Sequence, residues 1–108
     1  MSIAKTPHPP YFAVIFTSLR TATDEGYADM AKQMEEAALV QDGYLGIESA
    51  RSDIGITVSY WDSLEAIKEW KRETSHRLAQ KYGRDIWYSA YKVRVCRVER
   101  DYDFPYNH

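Results

Sequence analysis

The chain has 108 residues, 44% hydrophobic and 28% charged, which is enough for one globular domain and too few for two. Its formal net charge of −2 excludes a strong basic field, so neither nucleic acid nor an anionic membrane is an expected partner. Its apolar runs are far shorter than the roughly 20 residues that span a bilayer, and the N-terminus lacks the apolar core of a signal peptide. Because Cys96 is the only cysteine, no intrachain disulfide is possible and we expect a cytoplasmic protein.

The first half of the chain predicts a strand and an amphipathic helix. Residues 1–10 contain three prolines and are expected to form a flexible arm, whereas residues 11–18 are rich in β-forming side chains. Thr23 or Asp24 is the expected cap of the helix, and Gly43 is expected to end it in the left-handed conformation. Between them, apolar side chains recur at helical spacing: Tyr27, Met30, Ala31, Met34 and Ala38.

The second half predicts a hairpin, a second helix and a final strand. Residues 44–50 and 56–61 are separated by the turn residues 52–55. Asp62 then precedes Glu65 at the spacing of a capping box, so Asp62 is the expected cap of the second helix. We expect this helix to bend near residues 74–76 and to end at Gly83. The last strand covers residues 88–98, with a run of side chains on one face: Tyr91, Val93 and Val95.

This order, β-α-β-β-α-β, predicts an α+β fold of the ferredoxin-like type. Four antiparallel strands would carry both helices on one face of the sheet. The other face also needs cover, and the sheet of a second copy of the chain is the simplest way to provide it. We therefore expect a homodimer with twofold symmetry.

Several segments of the chain carry a family resemblance. These segments are residues 11–16, residues 42–49 and residues 56–67 with Trp70 beyond them, and the junction Trp-Asp-Ser-Leu-Glu-Ala at 61–66 is the most specific. Through these segments, residues 11–100 resemble the antibiotic-biosynthesis-monooxygenase-like (ABM) family. Residues 101–108 are expected to form a C-terminal tail. The resemblance implies a dimeric α+β barrel with a cavity between each sheet and its helices.

Activities known in that family include oxygenation of aromatic polyketides without metal or flavin, and oxidative opening of haem. Trp61 matches the junction tryptophan of the polyketide-oxidising branch. The asparagine and tyrosine that accompany it there correspond to Thr57 and Ile67 here, so the polar groups of that site are not reproduced. The alternative interpretation of Trp61 is a core residue at the start of the helix.

Trp70 matches the helix tryptophan of the haem-degrading branch. The haem-ligating histidine of that branch would fall at Gln80, and His76 lies about one helical turn earlier on about the same face as that position. The asparagine that this branch carries in its first strand is also missing. The alternative interpretation of Trp70 is a core residue on the apolar side of the helix.

His76 is the only histidine outside the terminal segments, and imidazole is suited to remove a phenolic proton near neutral pH. A single histidine between Ser75 and Arg77 is also typical of a solvated surface position. Tyr91 could line either the cavity or a dimer interface.

No metal site is expected, because one cysteine and one internal histidine cannot supply the ligands of a zinc centre. The chain also lacks a glycine-rich phosphate loop or dinucleotide fingerprint, so no flavin or nicotinamide cofactor is indicated. Arginines 94, 97 and 100 near the last strand are compatible with an anionic ligand or with a solvated edge.

The resemblance and the aromatic-rich composition predict a cofactor-independent monooxygenase of a small aromatic compound. In this hypothesis His76 is the catalytic base, and four side chains contact the substrate: Trp61, Trp70, Thr57 and Tyr91. One alternative is a non-catalytic dimeric protein that binds a ligand or responds to stress. A lesser alternative is a haem-binding or haem-degrading protein.

Overall fold

Four strands and two helices follow one another in the predicted order in the computed structural model, which describes residues 2–81 and 86–104. The elements are β1 (Tyr11–Arg20), α1 (Tyr27–Leu39), β2 (Tyr44–Arg51), β3 (Gly55–Trp61), α2 (Leu64–Lys81) and β4 (Tyr88–Val98). The strands form one antiparallel sheet in the order β2-β3-β1-β4, which confirms the ferredoxin-like α+β fold. Gly83 lies outside the described residues. Neither described helix is long and apolar enough to cross a membrane.

One face of the sheet lies under the helices and is called the helix face here. Trp61 on this face contacts Trp70 of α2, and Tyr88 contacts Tyr27 of α1. Because side chains alternate along a strand, cross-strand partners share a face and form rows across the sheet. In the order β2, β3, β1, β4 the rows are Arg51-Gly55-Ser18-Tyr91, Ser49-Thr57-Phe16-Val93, Ile47-Ser59-Val14-Val95 and Tyr44-Trp61-Phe12-Arg97.

The opposite face is partly covered by the N-terminal segment, which was expected to be a flexible arm. The backbone N–H of Ala4 donates a hydrogen bond of 2.9 Å to Glu48, and the hydroxyl of Tyr60 donates one of 2.6 Å to the same carboxylate. The hydroxyl of Tyr11 donates to Asp101 at 2.6 Å. These hydrogen bonds hold the segments before β1 and after β4 against the sheet.

Helix α1 begins without the side-chain cap that the sequence predicts. Its cap position is Gly26, which takes a left-handed φ of +80°, so the prediction of Thr23 or Asp24 as the cap is wrong. The carboxylate of Asp24 instead accepts a hydrogen bond from Arg20 at 3.0 Å. The helix ends at Leu39, before Gly43, although Gly43 does take a left-handed φ of +86° in the turn that follows.

The buried side of α1 also differs in detail from the predicted apolar stripe. Met30 and Ala38 are buried as the spacing indicates, and Ala37 is buried with them. Ala31, which was assigned to the stripe, is exposed. The apolar side of α1 is therefore rotated slightly toward the position of Ala37.

Helix α2 begins one residue later than the capping-box spacing indicates. Its first residue is Leu64, and the hydroxyl of Ser63 accepts a hydrogen bond of 3.1 Å from the backbone N–H of Ala66. Ser63 is thus the cap, and the prediction of Asp62 is wrong. Asp62 is exposed, and its backbone N–H donates to the carbonyl of Gly43 at 2.9 Å, which ties the turn before β2 to the start of α2.

We predict that Ser63→Ala lowers the free energy of unfolding by about 1 kcal/mol, because it leaves an N–H in the first turn of α2 without its acceptor. Asp62→Ala should cost clearly less, since its side chain is exposed and can act only through the helix dipole. Urea unfolding of both variants measures the difference. A larger loss for Asp62→Ala would show that the carboxylate, and not the hydroxyl, caps α2.

Candidate functional site

At one end of the helix face, aromatic rings pack closely between β3 and α2. Trp61 is 0% exposed, and its indole N–H donates to the hydroxyl of Ser59 at 2.9 Å. The ring of Trp70 lies 5.6 Å from that of Trp61, and Tyr44 meets Trp61 edge-on at 5.5 Å. Trp70 is only half-buried. A ligand at this end would therefore contact Trp70 before it could reach Trp61.

Two other residues predicted to bind substrate lie on either side of Phe16. Thr57 is half-buried and is the direct cross-strand partner of Phe16 on β3. The ring of Tyr91 on β4 is 5.3 Å from the ring of Phe16 and tilted by 31°. The structure thus brings Thr57 and Tyr91 into one neighbourhood, and Trp61 and Trp70 into another on the same face.

His76 belongs to neither neighbourhood. It is exposed, and six residues separate it from Trp70, which places the two side chains about 120° apart around the helix. The inner side of α2 is set by Ile67, which is buried, and by Trp70. Close to His76, Arg77 forms an ion pair of 2.7 Å with Glu73.

A second aromatic cluster, which the sequence did not single out, lies at the other end of the sheet. Trp87 is almost fully buried, and its indole N–H donates to the carbonyl of Glu25 at 2.9 Å. The carbonyl of Trp87 accepts hydrogen bonds from the backbone N–H of Thr21 and from Arg20. The guanidinium of Arg20 also lies 3.4 Å above the ring of Tyr27. Trp87 therefore joins the start of β4 to the segment that leads into α1.

Tyr88 connects this cluster to Phe16. Its hydroxyl donates to that of Tyr27 at 3.4 Å, and its ring is 5.4 Å from the ring of Phe16. Burial raises the pKa of Tyr88, and the hydrogen bond with Tyr27 raises it further, whereas the positive charges of Arg51 and Arg20 lower it in part. Tyr88 is therefore neutral near pH 7 and is suited to hydrogen bonding rather than to proton abstraction.

Side chains of β4 on the helix face are exposed. Tyr91, Val93 and Val95 are 39%, 48% and 51% exposed, so they form an apolar strip open to solvent. Two open grooves of about 480 and 440 Å³ lie elsewhere, one between residues 2–5 and the start of β2 and one between the end of α1 and the start of α2. Neither groove is lined by a residue predicted to bind substrate.

Within residues 2–81 and 86–104, no three side chains of His, Cys, Asp and Glu are grouped closely enough to hold a metal ion. Cys96 is half-buried on β4 and has a free thiol.

Solved structures with the same architecture define the class of fold. A protein of unknown function from Nitrosomonas europaea matches with a TM-score of 0.71 at 8% identity, covering 94% of this chain and 100% of its own. A protein from the same organism proposed to be an antibiotic biosynthesis monooxygenase matches with a TM-score of 0.64 at 14% identity, covering 87% and 94%. The fold is therefore that of the ABM-like proteins, as the sequence resemblance predicted.

The same fold occurs in a mutant of MhuD that has two manganese protoporphyrin IX molecules bound per active site. That structure matches with a TM-score of 0.61 at 16% identity, covering 86% of this chain and 99% of its own. At this level of identity the likeness concerns the fold alone. No family model matches the chain.

The chain is similar in sequence to a protein of Bacillus subtilis. The uncharacterized protein YqjZ is 48% identical over 107 residues, which cover 97% of this chain and 94% of YqjZ. The chain belongs to the same family as YqjZ.

The raised pKa of Tyr88 makes stability depend on pH at the alkaline end. In the unfolded chain this phenol ionises near its ordinary value of 10.0, whereas in the folded chain it stays neutral to a higher pH. Its contribution to stability is present in full below pH 10 and is lost as the pH rises through the folded value. We predict that Tyr88→Phe loses less unfolding free energy than wild type between neutral and strongly alkaline pH.

Urea unfolding at the two pH values measures this difference, and Tyr102→Phe is the matched control because Tyr102 is 84% exposed. An alkaline loss that is the same in wild type and Tyr88→Phe would contradict the assignment.

Proposed function

We propose that this protein is a cofactor-independent monooxygenase that acts on a small phenolic or quinol-type aromatic compound bound on the helix face. The observation that carries the proposal is the open apolar strip of β4 beside Phe16, Tyr91 and Thr57. An aromatic ring can pack there on other rings, and the hydroxyl of Thr57 lies one strand beyond Phe16. The ABM-like fold supports the same class of activity.

In this chemistry the substrate supplies the electrons. Removal of a proton gives an electron-rich anion that reacts with dioxygen. For a methylene group between two aromatic rings, one oxygen atom becomes the new carbonyl oxygen and the other leaves as water. The protein contributes an apolar surface that limits access of water and groups that stabilise the anion.

The predicted residues have distinct roles in this proposal. Thr57 and Tyr91 would contact the substrate beside Phe16, and Trp70, which packs on Trp61, would border it at the other end of the same face. His76 is the proposed base. Because it lies on the side of α2 away from Trp70, it would reach the substrate only after a rearrangement on binding, and geometry in the free enzyme does not by itself exclude such a base.

A homodimer is part of the proposal. On the face of the sheet away from the helices, Leu19 and Ile56 are 45% and 43% exposed, and Ile15 and Val58 lie beside them. A second sheet would bury these side chains and gain hydrophobic stabilisation.

Sedimentation at micromolar concentration should give the mass of two chains for wild type. Ile56→Lys places a charge in the proposed interface and should reduce the measured mass to that of one chain. A wild-type monomer would contradict the proposal.

Oxygen consumption tests the catalytic part of the proposal. Purified protein incubated with hydroxyanthrones or hydroquinones should take up oxygen faster than a blank without protein. Thr57→Val, which keeps the shape and removes the hydroxyl, should lower the rate by about tenfold, the effect of one lost hydrogen bond to a developing anion. His76→Gln should lower the rate and flatten its dependence on pH.

Equal rates for wild type and His76→Gln would remove His76 from the mechanism. The absence of uptake with every compound would contradict the oxygenase activity. Tight binding without turnover would instead favour the non-catalytic alternative, which the replacement of the family's polar groups by Thr57 and Ile67 suggests. A haem titration with a Soret shift would favour the haem-binding alternative; we expect none, because His76 and Trp70 lie on different sides of α2.

A further inference from the structure

The first row of the helix face holds an arginine in a fixed position. The side chain of Arg51 crosses Gly55 and donates a hydrogen bond from Nη2 to the hydroxyl oxygen of Ser18 on the next strand. Gly55 leaves room for this crossing, because a Cβ at position 55 would overlap the guanidinium where it now lies. Ser18 is only 2% exposed, so the point at which Arg51 is anchored is buried.

Among the described residues, the charge of Arg51 is not paired with a carboxylate. Its guanidinium carries five N–H donors, and the bond to Ser18 uses a neutral acceptor. Within the part of the chain that the structure describes, no carboxylate forms an ion pair with Arg51. The ion pairs of arginine in that part are Arg20 with Asp24, Arg72 with Glu69, and Arg77 with Glu73. Arg51 is also exposed, so its remaining donors can reach a ligand.

An aromatic surface begins directly beside this cation. Tyr91 ends the row that contains Arg51, and Phe16 lies in the next row with its ring 5.3 Å from that of Tyr91. Tyr88, 5.4 Å from Phe16, lies close enough to Arg51 for the guanidinium to lower its pKa in part. The positive charge and the rings therefore belong to one surface.

We propose that Arg51 binds the acidic oxygen group, a carboxylate or an ionised phenol, of an aromatic ligand whose ring packs on Phe16 and Tyr91. The planar fork of a guanidinium matches such an oxygen group and stays charged at every relevant pH. The expectation that the ligand is aromatic rests on the proposed function. The proposed role of Arg51 adds the requirement for an anionic group and names the residue that selects it.

Binding of 2-hydroxybenzoate and of its neutral amide, 2-hydroxybenzamide, tests the proposal by equilibrium dialysis. Wild type should bind the carboxylate more tightly than the amide. Arg51→Gln should weaken binding of the carboxylate by roughly 10- to 100-fold and weaken binding of the amide by clearly less, because only the carboxylate loses a hydrogen bond between two charged groups. Arg97→Gln is the matched control, since Arg97 is exposed on the same face in the row farthest from Arg51.

Ser18→Ala provides a second variant that keeps the charge and removes the anchor. It should weaken binding of the carboxylate by less than Arg51→Gln does. Three results would overturn the proposal: no binding of 2-hydroxybenzoate by wild type, equal binding by wild type and Arg51→Gln, or an equal loss in Arg97→Gln. Binding that depends on Arg51 without oxygen uptake by any bound compound would contradict the oxygenase activity alone.

Discussion

The packing of Trp61 at the end of β3 determines how α2 lies on the sheet. Its buried indole contacts Trp70 and Tyr44 and donates to Ser59, and the chain turns directly into α2 at Ser63. Loss of a buried tryptophan side chain typically costs about 3–5 kcal/mol, which makes this contact one of the largest single contributions to the fold. Because the contact holds α2 over the β2-β3 side of the sheet, the side chains of β4 on the helix face stay open.

The periodicity of the sequence predicts the elements well, because strands and helices bury side chains at regular intervals. The bounds predicted for β4 agree with the structure, since turn residues and alternation mark it clearly. The caps were predicted less well. Asp62 and Ser63 are both good caps at neighbouring positions, and which one is used depends on where the tertiary contact between Trp61 and Trp70 lets α2 begin.

The arrangement of the candidate site residues is only partly predictable from the sequence. Thr57 was proposed from the family resemblance and Tyr91 from its position in the last strand, whereas the register that places them on either side of Phe16 follows from the sheet. His76 lies on the outer side of α2 because the helix is rotated about its axis so that Ile67 is buried against the sheet. The sequence alone does not determine this rotation. Neither Trp87 nor Arg51 carries a signal in the sequence, because each depends on a hydrogen bond to a residue more than 30 positions away in the chain.

The two ends of the helix face differ in what they can supply to a reaction. The end at Trp61 is apolar and closed, and its hydroxyl at Ser59 is already bonded to the indole. The end at Arg51 holds a permanent positive charge beside open aromatic rings. A cation at this place would favour the ionised form of the proposed phenolic ligand and so lower its pKa. A ligand that binds already ionised would need no base, so in the proposed reaction the position of His76 on the outer side of α2 would not prevent oxygenation.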